Sequence, residues 1–235
     1  MQLIGNSVKD NFQRCLEKIA NVAAKCNQRF ENITLVAVTK TVSTEKINQG
    51  IEAGITNIGE NKVQEAKIKK DLVKPVTWHM VGHLQTNKVK HALQIFDMIQ
   101  SVDSIHLAKE INKRSEQLSK KMPVLIEVNT SREASKYGCP PETTIDTISE
   151  ISQMPFIEIR GLMTIGLFTN DRELIRPCFI LLRELADKIK SQKIANVYMD
   201  ILSMGMSADF ETAIEEGSNM VRIGTAIFGP RNYLN

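Results

Sequence analysis

Short apolar runs alternate with amphipathic segments along almost the whole chain, and this alternation predicts strands and helices in succession. The run Ile33 to Lys40 sets the pattern. Ile33, Leu35 and Ala37 are apolar at one parity and Val36 and Val38 at the other, as in a parallel strand covered on both faces. Seven further runs follow, at 55–59, 76–81, 98–102, 124–129, 157–164, 197–202 and 220–223. Segments of helical periodicity separate them, at about 62–72 and 86–96, one reaching about 119 from a cap at Asp103 or Ser104, one ending near 153, one reaching 190 from a cap at Asn170 or Asp171, and one ending near 216. Ahead of the first strand, Val8, Phe12, Cys15, Leu16, Ile19, Val22 and Ala23 form an apolar stripe behind a cap at Asn6 or Ser7.

Regular βα alternation implies parallel strands joined by right-handed crossovers. Eight such units in 235 residues predict an α/β fold, a closed (β/α)8 TIM barrel with an additional N-terminal helix, and residues 1–235 read as a single domain. An open doubly wound sheet usually carries a Gly-rich turn after its first strand. Here that turn reads Thr39-Lys40-Thr41-Val42-Ser43, which favours the barrel.

Composition changes this picture little. A 42% hydrophobic and 24% charged chain is an ordinary globular one, and a net charge of +3 argues for neither nucleic acid nor a membrane surface. No apolar run has the length of a membrane span, and the first residues lack the layout of a signal peptide. The four cysteines, Cys15, Cys26, Cys139 and Cys178, are far apart and suggest neither a zinc knuckle nor a redox pair, so a reducing, cytoplasmic setting is expected. No exposed apolar strand or heptad asks for a partner, and a monomer is expected.

In such barrels the working residues sit at the carboxyl ends of the strands. Those ends are Lys40, Asn61, His79, Asp103, Asn129, Met163, Ser203 and Arg222. Period-two alternation places Lys40 on the Val36/Val38 side, against an apolar wall. Desolvation there lowers the pKa of an ammonium and frees an amine able to form a Schiff base. On the eighth strand, Gly224 lets backbone approach a ligand, and Thr225 adds a hydroxyl at a helix start, where free N–H groups favour an anion. Ser203 and the Gly205 turn would complete a phosphate cradle after strands seven and eight. Strands one and eight are neighbours in a closed barrel, so a Schiff-base lysine beside a phosphate cradle suits a phosphorylated aldehyde, with pyridoxal 5'-phosphate the obvious cofactor. His79 and His83 are four apart, but their segment reads as a strand entering the Gly82 turn, and no metal site is expected.

Val36-Ala37-Val38-Thr39-Lys40, Ile58-Gly59-Glu60-Asn61, Trp78-His79-Met80-Val81-Gly82-His83-Leu84-Gln85 and Arg160-Gly161-Leu162-Met163-Thr164 resemble the pyridoxal 5'-phosphate homeostasis proteins. Leu202-Ser203-Met204-Gly205-Met206-Ser207 and Val221-Arg222-Ile223-Gly224-Thr225-Ala226-Ile227-Phe228-Gly229 extend the resemblance over nearly the whole chain. It implies a barrel like that of alanine racemase, holding the cofactor as an aldimine at Lys40. Arg222 would face the pyridine nitrogen, Ser203, Gly224 and Thr225 would bind the phosphate, and Asn61 would lie beside the ring. Lys136 matches a lysine the family keeps near the site and is a candidate second aldehyde acceptor.

The function so implied is a non-catalytic carrier or buffer that keeps the free aldehyde low and passes the cofactor to apo forms of dependent enzymes. The alternative is an amino-acid racemase-like enzyme of low activity. Racemisation needs a base on each face of the substrate carbanion and a ring nitrogen able to accept charge. An arginine at that nitrogen weakens the electron sink. Tyr137, Tyr198 and Tyr233 are the only tyrosines, and none has an evident claim to be a second base.

Overall fold

The computed structural model describes residues 7–169 and 171–230. Eight parallel strands close into a barrel in sequence order. They are β1 (Thr34–Val38), β2 (Asn57–Glu60), β3 (Thr77–Met80), β4 (Met98–Val102), β5 (Met122–Glu127), β6 (Ile157–Met163), β7 (Val197–Ser203) and β8 (Met220–Ile223). Helix α1 (Val8–Lys25) precedes the barrel. The helices that follow the strands are α2 (Thr44–Glu52), α3 (Val63–Lys69), α4 (Val89–Ile95), α5 (Ile105–Gln117), α6 (Thr144–Ile151), α7 (Arg172–Ser191), α8 (Phe210–Glu215) and α9 (Thr225–Phe228).

The two faces of β1 do different work. Leu35 and Ala37 join the large outer core between strands and helices, together with Ile19, Ile47 and Ile227. Val36 points inward and packs with Val81, Leu125, Met163 and Met220 as an apolar plug inside the barrel. Buried polar side chains, among them His79, Gln100, Ser203 and Arg222, share the interior with this plug.

The extra helix has a structural reason. Among the described residues after β8 the one helix is the four-residue α9, too short to cover the outside of the β8–β1 junction. Helix α1 packs against α9, α8 and α2 and supplies the missing cover. Asn11 Nδ2 donates to Ile227 O at 3.0 Å, and Gln28 Nε2, just past the helix, donates to Ile214 O at 2.9 Å. A capping box starts α1: Ser7 Oγ accepts from Asp10 N at 3.1 Å, while Ser7 N donates to Asp10 Oδ2. Ser7 is therefore the cap, as Asp171 is for α7; Asn6 and Asn170 lie outside the described residues.

Several boundaries differ from the sequence pattern; β5, for one, covers Met122–Glu127 rather than 124–129. The first strand stops at Val38 rather than running to Lys40, because Thr39 turns its hydroxyl onto Gly59 O and Glu60 Oε1 and Thr41 takes a φ of +62°. Lys40 thus stands in a turn, and strict alternation does not fix its side. The 86–96 segment is a 3-10 turn, Thr86–Lys88, followed by α4.

Candidate functional site

Lys40 lies at the carboxyl end of β1, half-buried, between two residues that are themselves tied down. The Thr39 carbonyl accepts from Lys69 Nζ at 2.7 Å, and the Thr41 N–H donates to Glu65 Oε1 at 2.6 Å. Lys69 also bonds Glu60 Oε1 and Glu65 Oε1, each at 2.7 Å, and Thr39 Oγ1 donates to Glu60 Oε1 at 2.7 Å. Both flanks of Lys40 therefore hang on one buried cluster from β2 and α3. Burial pushes the Glu60 carboxyl up, with Lys69 and Thr39 opposing. The cluster was missed in the sequence, although Glu65 and Lys69 at i,i+4 on a helix, and Glu60 ending an apolar strand, were its visible parts.

The register Val36 opposite Arg222 joins β1 to β8. Immediately beyond, a Cβ added to Gly224 would lie 3.2 Å from Val38 O, so the β8 exit rests on the β1 exit two residues before Lys40. Only a residue without a side chain lets the strand ends approach this closely without displacement. On β2, Gly59 opposite Val38 carries Asn61 to the level of Lys40. Asn61 is set from the other side by Gly82, where an added Cβ would come within 2.5 Å of Asn61 O.

Ser203 is placed differently from the expectation that it binds phosphate. Its side chain is fully buried inside the barrel. Its hydroxyl accepts from Arg222 Nη1 at 2.7 Å and donates to Gln100 Oε1 at 2.7 Å, so its proton and a lone pair are both engaged. Gly205, at φ +94°, turns the chain, and Ser207 arrives at the β8 exit instead. The N–H groups of Gly224 and Ala226 converge on Ser207 Oγ at 3.2 and 3.4 Å. Thr225 lies exposed between them as the first residue of α9. Backbone N–H groups gathered beside the Ser207 hydroxyl, with the Thr225 hydroxyl next in the chain, are donor types that fit a phosphate.

Arg222 is buried in the barrel interior and also donates from Nη2 to Thr164 O at 2.8 Å. Burial draws its pKa down to about 10, against the pull of Glu127 and Asp209, so it remains a cation at neutral pH. Behind it a polar line crosses the barrel. Gln100 Nε2 lies 3.0 Å from His79 Nδ1, and His79 Nε2 lies 3.1 Å from Asn57 Oδ1. Since the Gln100 amide donates to Nδ1, the imidazole proton sits on Nε2, and burial pushes the ring down to about 4. His79 is thus a neutral interior residue rather than a rim group.

On the opposite rim, the His83 ring stacks on Tyr137 with centroids 3.7 Å apart, and its Nδ1 lies 3.0 Å from Asp103 Oδ2. The two histidines face different surroundings, and among the described residues no three His, Cys, Asp or Glu side chains gather as a metal ion would need. Lys136 donates to Gly166 O at 2.8 Å and pairs with Glu133, tying the loop after β5 to the loop after β6. Asn129 supports the same loop through a bond from Nδ2 to Glu133 O. Tyr198 lies under the Arg160 guanidinium, and Tyr233 is outside the described residues.

The structure therefore brings Lys40, Asn61, Arg222, Gly224 and Thr225 to three neighbouring strand ends, adds Ser207, and turns Ser203 inward to orient Arg222. Among the described residues no helix is long and apolar enough to cross a membrane.

Residues 15–232 match the family model for the alanine racemase N-terminal domain. The chain is 40% identical over 226 residues, 95% of its length and 98% of the relative's, to the pyridoxal phosphate homeostasis protein of Aquifex aeolicus. The structure of PipY from Synechococcus elongatus with pyridoxal phosphate bound is 32% identical, with a TM-score of 0.79 over 90% of this chain and all of that one. The alanine racemase of Clostridium difficile shares the fold, with a TM-score of 0.77 at 17% identity over 96% of this chain and 58% of the racemase. Similarity at this level over nearly the full length of both chains, on a barrel of the racemase type, makes the protein a member of the pyridoxal phosphate homeostasis protein family.

Proposed function

We propose that this protein binds pyridoxal 5'-phosphate through an imine between Lys40 and the cofactor aldehyde, and that it carries or buffers the cofactor within the cytoplasm. One observation carries the reading: Gly224 lies against Val38, so the amine-bearing turn of β1 and the N–H groups gathered on Ser207 share one corner of the barrel mouth. The PipY relative that holds the same cofactor supports it.

When bound, the cofactor supplies an aldehyde carbon that takes an amine and a ring able to store negative charge. The chain's own residues hold it. Ser207, Gly224 and Thr225 receive the phosphate, Ser203 and Thr164 fix Arg222 toward the ring nitrogen, and Asn61 closes the β2 side. The proposal treats residues 1–235 as one cofactor-binding barrel domain, acting as a monomer.

The carrier reading is preferred to racemisation for reasons in the side chains. Arg222 donates and stays charged, so it gives the ring nitrogen no proton and leaves the electron sink weak. Neither described tyrosine has the setting of a second base: the Tyr137 ring stacks on His83, and the Tyr198 ring lies under the Arg160 guanidinium. The family name of the relatives points the same way.

Mixing the purified protein with pyridoxal 5'-phosphate is expected to give an imine absorption band that borohydride fixes, and Lys40→Ala is expected to lose it. An unchanged band in that variant would place the bond elsewhere, with Lys136 the first suspect. Deuterium entering the alpha carbon of amino acids at ordinary enzyme rates, in D2O with loaded protein, would overturn the carrier reading.

A further inference from the structure

Glu127 has no part in the reading above, yet it stands in the same chamber. It lies two residues beyond Leu125 on β5, and Leu125 belongs to the inner plug, so strand alternation directs the Glu127 carboxyl into the barrel on its mouth side. Arg222 has the same relation to Met220 on β8. Glu127 is only 4% exposed. Among the described residues its carboxyl makes no hydrogen bond and no ion pair, a costly state for a buried anion.

The charged and titratable groups around it are few. Arg222 attracts it from β8. Asp103, at the end of β4, repels it and is itself occupied with His83. The Cys139 thiol, from the loop after β5, is pushed up to about 11 by burial and by Asp103, with Glu127 a lesser cause, and so is neutral. Asp209 acts on Arg222 from the loop before α8. The adjoining end of β6, Met163 and Thr164, brings no charge. Burial, and after it Asp103, raise Glu127 to about 7, with Arg222 opposing.

Resting on the proposed cofactor site, we propose that Glu127 is a ligand-facing residue that sets how tightly a phosphate-bearing anion is retained in the barrel mouth. Neutral, it leaves the Arg222 field to the ligand. Ionised, it takes up that field and repels the ligand's own negative charge. Retention is therefore coupled to one proton: the protonated form favours binding, affinity falls as pH rises through neutrality, and a bound anion in turn favours protonation of Glu127.

The test uses pyridoxine 5'-phosphate, which lacks the aldehyde and so cannot bond Lys40. Its affinity for the full chain and for Glu127→Gln is measured between about pH 6.5 and 8.5, above the phosphate's own titration near 6. One linked proton changes affinity by at most about tenfold per pH unit, and the expected fall for the unaltered protein is about three- to tenfold across the range. Glu127→Gln, and Glu127→Leu as a second uncharged variant, are expected to show a flat profile at the low-pH affinity. The same slope in all three proteins, or weaker binding by Glu127→Gln at every pH, would overturn the proposal. The Lys40 reading is tested separately: a Lys40-dependent imine band with no Glu127-dependent slope sinks only the present inference, and a slope without the band sinks only the reading it rests on.

Discussion

Lys69 is the residue on which the geometry of Lys40 depends most. Its ammonium, 7% exposed as a residue, holds the Thr39 carbonyl and neutralises Glu60, which is fully buried and has one carboxylate oxygen, Oε2, without a hydrogen-bond partner. Removing one member of a buried ion pair leaves an uncompensated charge and typically costs about 3–5 kcal/mol. Lys69→Met is accordingly expected to lower stability to urea by about 3 kcal/mol and to weaken cofactor binding, although it touches no ligand. A loss under about 0.5 kcal/mol with unchanged binding would show that the cluster does not set the turn. At this scale Lys40, Arg222 and Gly224 stand out in the sequence by residue type, and the structure sets them at neighbouring strand ends. Ser203 and Ser207 were not legible in the same way. Two serines four apart around a positive-φ glycine cannot be assigned inward or outward by spacing alone, since Gly205 reverses the chain between them.

Strands were the legible elements. β4 and β8 have the limits their apolar runs indicate, because a strand buried on both faces shows a contrast with its polar flanks. Less legible was what an element does to its neighbour. Gly161, midway along β6, lies where the pairing with β7 shifts register, and a Cβ there would come within 1.9 Å of Ile201 O. No adjustment of a flexible side chain relieves a clash with backbone. Gly161→Ala is expected to cost more than about 3 kcal/mol, seen as a large fall in melting temperature or as insoluble protein. A melting temperature within about 2 °C of the unaltered protein would contradict the register drawn for β6 and β7. Helix α1 gives a parallel lesson. Its apolar stripe was plain, but its role in covering the β8–β1 junction depends on α9 being only four residues long.

Across the whole molecule, the barrel interior combines an apolar plug with the neutral line Asn57–His79–Gln100–Ser203, which leads to the buried Arg222. That arrangement is hidden in the sequence, since its members come from all eight strands or their exits and meet only when the sheet closes. It explains how one chain keeps a buried cation oriented: Ser203, at the end of the line, holds Nη1 of Arg222, and the Thr164 carbonyl holds Nη2. The central claim, that this chamber captures an aldehyde at one amine, is tested most directly by locating the bond. The protein is loaded with pyridoxal 5'-phosphate, reduced with borohydride, digested and mapped by mass spectrometry. The account predicts a stoichiometric adduct on the peptide containing Lys40; an adduct confined to Lys136, or scattered over surface lysines, would contradict it.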